Sequence, residues 1–512
     1  MKVLLAGPGT GKTTNIKKII EDRGVVSDVL VLSFTNATVE DLKTSLTSIG
    51  LPADNCMTLH KFALKHNHDK SRHILETMEA VELTKIAKAT QIKFDNLCNF
   101  LSATTFEQMI SRFVSFVKSN PEYLSDKLSK YTLMIVDEYQ DFNSSEQELI
   151  DLLVSQMAET YILGDDDQCI YDFKDANIDK IISLYSDESH EKIDHEHKCY
   201  RCPDIVVDCA SRLITNNTKR VNKDWHKTGK AGNLVQKQFS TNAIGADYVV
   251  DEVYKILSDN EDDSILILSP VGFLVGDLTL KLDKANIEYR NYFVGKVDPQ
   301  LIIKSWVLRT LFGKYQYLNL VLYGYSALST RKKFYKLVKQ HFDGGQNYDE
   351  LFSLICNKMP DESKKSYENI ETALRVDYFI DLMIFFENAE GKDDDEKLEN
   401  LFVLVNENTK SRVKIMSIHK SKGLGAEHVF MIGLVEGIIP NRARGNDTIE
   451  SQRRLFYVGM TRAKKSLHLL SSINLEGRYA FTVNKDDFKF DVRSRLWKGK
   501  ASRFIEEINS EV

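Results

Sequence analysis

The run Ala6-Gly7-Pro8-Gly9-Thr10-Gly11-Lys12-Thr13-Thr14 follows directly on the apolar residues Val3-Leu4-Leu5. A short buried strand that breaks into a glycine-rich turn and then opens a helix at Lys12 is the layout of a phosphate-binding loop. The glycines let backbone N–H groups turn onto phosphate oxygens, and the helix N-terminus adds the positive end of its dipole. Lys12 supplies a point charge for the terminal phosphates, and the Thr13 hydroxyl can ligate Mg²⁺. Gly7, Gly9, Thr10, Gly11, Lys12, Thr13 and Thr14 are therefore expected to surround a nucleoside triphosphate. Ala6 stands at the first position of G-x-x-x-x-G-K-[ST], a variant of the pattern.

At 512 residues the chain is too long for one core, and length alone predicts three or four domains. No apolar stretch approaches the ~20 residues of a membrane span, so a membrane protein is not expected. The opening Met1-Lys2-Val3-Leu4-Leu5 is too short an apolar run for a signal peptide. Seven scattered cysteines make no disulfide framework, which points to the cytoplasm. The net charge of −6 argues against one large basic face but leaves room for a basic groove. Arg331, Lys332, Lys333, Lys336 and Lys339, and again Arg493, Arg495, Lys498, Lys500 and Arg503, could line one; each run reads more simply as a solvated face.

Strand-like runs at Val29–Ser33, Leu133–Val136, Thr160–Leu163, Ser264–Leu268, Val413–Ser417, Val429–Ile432 and Leu467–Leu470 alternate with helical stretches. That rhythm predicts parallel sheets of the α/β kind, with ligand loops at the strand C-terminal ends. Two segments, 65–130 and 301–409, read as helical insertions. Residues 1–64 with 131–240, and 241–300 with 410–512, then make two α/β domains. Asp259–Asp263, Gly344-Gly345 and Gly391–Glu396 have the composition of exposed loops.

A phosphate loop needs an acidic partner at the end of another strand. Leu133-Met134-Ile135-Val136-Asp137-Glu138-Tyr139-Gln140-Asp141 supplies it: Asp137 is placed to hold Mg²⁺, and Glu138 to polarise a water against the γ-phosphate. Asp-Glu-Tyr-Gln-Asp also resembles the D-E-[FY]-Q-D signature of superfamily 1 helicases of the UvrD/Rep/PcrA type. Further motifs follow in that family's order. Ser33-Phe34-Thr35-Asn36-Ala37 is similar to motif Ia, Thr58-Leu59-His60 to motif Ib, and Gly164 to Tyr171 with Phe173-Lys174 to motif III. Tyr200-Arg201 falls at motif IV, Ser417 to Leu424 resembles motif V, and Arg454 to Ala463 motif VI. Ser502-Arg503-Phe504-Ile505 is similar to the family's C-terminal end.

The resemblance implies two RecA-like P-loop NTPase domains, each with a mainly helical inserted subdomain, hydrolysing ATP with Mg²⁺ in the cleft between them. Arg201 and Arg462 would act as arginine fingers, since a planar guanidinium suits charge spread over equatorial oxygens. Gln168 would sense the γ-phosphate, and Tyr200 would stack on the adenine. Phe34, Tyr171 and Phe173 would face bases, whose stacking tolerates any sequence. Asn36, Thr58, His60, Lys174 and His419 would contact the strand. His195, His197, Cys199 and Cys202 have metal-ligand spacing, with Cys209 close behind, but Cys199-Tyr200-Arg201-Cys202 coincides with motif IV, so zinc is not expected.

Two departures from the pattern stand out. Five residues precede Ala6, leaving the family's adenine-reading glutamine motif without a counterpart. Motif V runs Lys422-Gly423-Leu424-Gly425, with glycine where the family has glutamate; Glu427 is the nearest replacement. The expected activity is 3′ to 5′ translocation on single-stranded DNA and unwinding of tailed or forked duplex by a monomer, with a replication or repair protein or a nuclease as partner. A DNA-sensing ATPase subunit that regulates a nuclease is the alternative.

Overall fold

The computed structural model describes residues 1–69, 93–100, 103–171, 178–260, 262–293, 411–441, 448–476 and 488–510, with a few positions from 72 to 88 and residue 176. The expected insertion at 301–409 lies outside the described residues. Contacts group Met1–His66, Val114–Val294 and Ser411–Val512 into one body, while Asn67–Phe113 belongs to another.

The larger body opens with β1 (Lys2–Leu5), β2 (Val29–Ser33) and β3 (Cys56–Thr58). The other body contributes the short parallel pair β4 (His73–Ile74) and β5 (Ala103–Thr104). Then β6 (Leu133–Val136), β7 (Glu159–Gly164) and β8 (Glu191–Lys192) complete a parallel sheet ordered β3-β2-β6-β7-β1-β8. Every residue of β2, Val-Leu-Val-Leu-Ser, is buried, as a parallel strand covered on both faces requires. The helix Lys12–Arg23 buries Ile16 and Ile20, and the helix Asn36–Thr47 buries Val39, Leu42 and Leu46, in one core with Leu4, Val31 and Ile135. Thr35 caps the second helix by accepting from Thr38 N at 3.1 Å.

A second sheet is built from β9 (Asn233–Thr241), β10 (Ile265–Ser269), β11 (Tyr289–Asn291), β12 (Val413–Ser417), β13 (Ala426–Met431), β14 (Ala463–Glu476), β15 (Lys489–Asp491) and β16 (Leu496–Lys498). Its order is β11-β12-β10-β13-β14-β16-β15, with β9 also on β14. The pairings among β9 to β14 are parallel, whereas β16 runs antiparallel to both of its neighbours, β14 and β15. The two α/β cores are thus as the resemblance implies.

Their boundary is not where the sequence places it. Strand β9, assigned above to the first domain, pairs with β14 from Asn233↔Ser466 to Thr241↔Asn474. The preceding helix Asp204–Ile214 also buries Val206, Val207, Ala210 and Leu213 against Phe456, Leu467 and Phe504 of the second core. The chain therefore changes cores near residue 200 rather than 240: the apolar face of this helix has its match on β14 and the C-terminal helix Arg503–Asn509. Likewise residues 114–130, read as part of the first insertion, belong with the larger body. No helix among the described residues is long and apolar enough to cross a membrane.

His468 tests the packing of β14. Its ring stacks on Phe430 with centroids 4.2 Å apart, and Tyr248 Oη lies 3.1 Å from Nδ1. Burial lowers its pKa to about 4. A histidine depressed in the folded state adds stability above its unfolded pKa of about 6.5, and loses it as pH falls toward 4. Thermal melts of His468→Gln should show a deficit on the order of 1 kcal/mol at pH 8, narrowing steadily between pH 6.5 and 4.

Candidate nucleotide cleft and strand-binding face

The loops after β1, β6 and β7 converge, as parallel strands dictate. After Leu5, Ala6 still bonds to Gly164 O at 3.0 Å, and the loop then turns through Gly9 (φ 72°) and Gly11 (φ 88°) into the helix Lys12–Arg23. Thr10 Oγ1 donates to Gly7 O at 2.8 Å and closes the loop; it turns inward as a brace. Lys12 Nζ donates to Ala6 O at 3.0 Å, arched over the loop. Gly7, Gly9, Gly11, Lys12 and Thr13 line a cleft of about 460 Å³ with Asp137, Glu138, Gln168, Tyr200, Arg201 and Arg462. The sequence-predicted nucleotide residues are thus brought together, except Thr10 and Thr14, which are not among the lining residues.

Asp137 is fully buried at the end of β6. Burial first, then the Glu138 charge, pushes its carboxyl up to about 7. Its Oδ1 has no hydrogen-bond partner among the described residues. A buried, unpartnered carboxylate oxygen beside Thr13 in a phosphate cleft fits a divalent cation, whose charge would return Asp137 to its ionised form. Glu138 behaves oppositely. Burial raises it, but Lys422, Lys12, a hydrogen bond from Gln140 and Arg462 together hold it below the usual glutamate value. Glu138 also adopts a left-handed backbone (φ 55°), uncommon outside glycine.

Arg462 enters from the second core. Its Nε donates to Val458 O at 2.8 Å, and its Nη2 to Gln168 Oε1 at 3.0 Å. Gln168 in turn donates to Asp165 Oδ2 at 2.6 Å. Burial first, then Arg201, lowers the guanidinium to about 9. Arg201 is set beside the loop, and Lys230 Nζ donates to its backbone oxygen at 2.6 Å. Tyr200, 59 % exposed, also lines the cleft, its hydroxyl 3.5 Å from Glu196 Oε2.

Lys422 lies in the motif V segment, and its partners are visible only in three dimensions. Its Nζ donates to Asp141 at 2.6 Å and to Gln168 O at 2.6 Å, lies 3.9 Å from Glu138, and sits 5.6 Å from the Tyr171 ring centre. Burial works against the charge, yet Asp141 and Glu138 prevail and hold it above the ordinary lysine value. Tyr171 packs against Phe34 at 5.3 Å, and Phe34 against Phe142 edge-on at 5.4 Å. Among the expected strand contacts, exposed Asn36 follows β2, and Thr58 ends β3 with its hydroxyl capping Lys61 N at 3.1 Å. His60 Nε2 is 3.0 Å from Glu146, and His419, its pKa lowered to about 4 by burial, follows β12. Phe173 and Lys174 lie outside the described residues.

One sequence reading changes. Glu427 does not line the cleft: Ser264 N at 3.2 Å and Lys464 at 3.1 Å occupy its carboxylate. At Gly425 a Cβ would stand 3.4 Å from Lys464 Cε and 3.9 Å from Arg201 Cδ, so the glycine lies against two cationic side chains. Cys199 Sγ donates to Pro8 O, and Cys202 Sγ to Thr461 O, each at 3.4 Å. These thiols brace the phosphate loop and the Arg462 turn.

A glycine-rich phosphate loop, a buried acidic pair and two arginines lining one cleft between two α/β cores define a two-domain protein of the P-loop nucleoside triphosphatase class. Residues 64–189 match the UvrD/REP helicase N-terminal domain, and residues 318–474 the UvrD-like helicase C-terminal domain. The ATP-dependent DNA helicase Rep of Buchnera aphidicola subsp. Acyrthosiphon pisum (strain APS) is 25% identical over 504 residues, covering 80% of this chain and 76% of that protein. The ATP-dependent DNA helicase PcrA of Leuconostoc citreum is 24% identical over 471 residues, covering 80% of this chain and 61% of that protein. The ATP-dependent DNA helicase srs2 of Schizosaccharomyces pombe is 24% identical over 516 residues, 85% of this chain and 56% of that protein. The chain belongs to the superfamily 1 helicases of the UvrD/Rep/PcrA type, a class of ATP-dependent DNA helicases.

Lys422→Met removes the leading cation that holds Glu138 down. The pKa of Glu138 should therefore rise. In a pH–rate profile of ATP turnover the acid limb should move to higher pH, and the plateau should fall by an order of magnitude or more. An unmoved acid limb would separate Lys422 from the Glu138 chemistry.

Proposed function

We propose that this chain is an ATP-dependent translocase that moves 3′ to 5′ on single-stranded DNA and unwinds tailed duplex, with ATP hydrolysed in the cleft described above. The observation that carries the reading is Lys422: one buried ammonium touches the Glu138 and Asp141 carboxylates, the Gln168 loop and the Tyr171 ring. Whatever a γ-phosphate does to Gln168 and Glu138 therefore reaches the Phe34–Tyr171 pair directly.

In this reading the phosphate loop and Lys12 hold the β- and γ-phosphates, and Tyr200 covers the base. Thr13 and Asp137 would hold Mg²⁺, which supplies positive charge to the phosphate oxygens. Glu138, kept ionised by Lys422 and Lys12, accepts a proton from the attacking water. Arg462 exchanges its bond to Gln168 for a γ-phosphate oxygen, and Arg201 closes from the same side, so the transition-state charge meets two guanidinium groups. Gln168, released from Arg462, is free to contact the phosphate. Its movement displaces Lys422 and Tyr171, and the aromatic face regrips the strand. The polarity rests on the motif set of the UvrD/Rep/PcrA group.

Lys12→Ala and Glu138→Gln should each reduce DNA-stimulated ATP turnover by orders of magnitude, with nucleotide affinity lost only in the former. Displacement by the wild type should require a 3′ tail; efficient displacement from a 5′-tailed substrate alone would overturn the polarity and leave the ATPase intact. Phe34→Ala should weaken oligo(dT) binding by roughly 1–3 kcal/mol in a fluorescence titration, at little cost to nucleotide affinity without DNA.

A further inference from the structure

A strap leaves the helix Asp204–Ile214 and runs from Asn216 to His226 with no regular secondary structure until it reaches the phosphate loop. It is pinned at each step. Arg454 of the helix Ile449–Met460 donates to Lys219 O at 2.8 Å. Arg220 forks onto Asp167 with bonds of 2.9 and 2.8 Å. Val221 N donates to Asp166 at 2.6 Å. Lys223 is buried among all three aspartates, 3.1 Å from Asp165 and 2.9 Å from Asp167. These aspartates form the turn that presents Gln168. The acidic cluster is thus already paired with two cations of the strap.

Two residues further on, the strap ends against the phosphate loop. Trp225 Nε1 donates to Pro8 O at 3.2 Å. Its ring lies so close to Gly7 that a Cβ there would be 3.0 Å from Trp225 Cδ1, and its other side meets Tyr457 edge-on at 5.7 Å. Cys199 Sγ approaches the same Pro8 oxygen at 3.4 Å, and Tyr200 N donates to Gly9 O at 2.9 Å. In a trans peptide the C=O and the following N–H point to opposite sides. Donors gathered on Pro8 O therefore turn the Gly9 N–H away from Trp225. Outside the loop two carbonyls are tied back, and that leaves its N–H groups for the phosphate.

We propose that Trp225 is a positioning residue for nucleotide binding: its indole N–H fixes the Pro8–Gly9 peptide, and the strap that carries it holds the phosphate loop in register with the Gln168 turn. The inference rests on the reading of the cleft as an ATP site. Neither a phosphate-loop pattern nor an aspartate run signals it, because Trp225 stands behind the loop and not among the residues that line the cleft.

Trp225→Phe keeps an aromatic ring on Gly7 and Tyr457 but removes the donor. In oligo(dT)-stimulated ATPase assays it should raise KM for ATP about five-fold, the size of one lost hydrogen bond, with kcat at saturation within about a factor of two. The Kd of the unhydrolysable analogue AMPPNP should rise in parallel. Trp225→His is the rescue: its imidazole overlays the five-membered ring of indole and returns an N–H near Nε1, so its KM should fall back toward wild type. Equal KM increases in both variants would overturn the role of the hydrogen bond. A lowered melting temperature with KM and AMPPNP affinity unchanged would overturn positioning in favour of packing alone. Lys12→Ala, run alongside, separates the two readings: its inactivity beside a normal KM in both Trp225 variants sinks this inference and leaves the ATPase standing. A wild-type chain that neither binds AMPPNP nor hydrolyses ATP sinks both.

Discussion

Negative charge buried behind β6 and β7 is the constraint around which the rest is arranged. Asp137, Asp141, Asp165, Asp166 and Asp167 all lie almost out of reach of solvent, and Glu138 is nearly so. Carboxylates in such surroundings protonate or unfold the chain unless cations follow them inside. Lys422 follows Asp141 and Glu138 from the second core, and Lys223 with Arg220 follows the Asp165–Asp167 turn from the strap. Both compensating groups reach the first core from chain segments that belong structurally with the second. The electrostatics that make the first core tolerable are therefore also what ties the two cores together.

This compensation is uneven, and the unevenness is chemically useful. Glu138 sits close to several cations and stays low, whereas Asp137, a single residue earlier, rises to about 7 under burial and the charge of Glu138. Two adjacent carboxyls with opposed tendencies divide naturally into a base and a cation ligand, the separation of roles expected where environment rather than residue type sets acidity. The left-handed backbone of Glu138 makes the division possible, since in an extended strand neighbouring side chains point to opposite faces.

Much of this was legible in the chain. The phosphate loop, the acidic strand end and the arginines of motifs IV and VI declare themselves through local spacing, because a loop, a strand and a turn are each short-range objects. Lys422 stood in plain view within motif V, but its meaning depends on which carboxylates lie opposite, and those are set by tertiary packing. Trp225 was invisible for the same reason: nothing near it in sequence marks it as the neighbour of Gly7. The domain boundary was misplaced because β9 reads like any half-exposed strand, and only its partner β14 assigns it to a sheet. Glu427 shows the limit of substituting by proximity along the chain, since Ser264 and Lys464 had already claimed it.

Gly9 adds a consequence of another kind. Its positive φ alone would favour glycine, but a Cβ there would also lie 2.6 Å from Arg201 Cβ. The nucleotide loop and the arginine segment, far apart in sequence, are thus in contact through the absence of a side chain. Neither can drift independently. A larger residue at position 9, or a displaced backbone at 201, would have to be matched by a change in the other. Grafting either one alone onto a related scaffold should therefore carry a defect that only the pair together repairs.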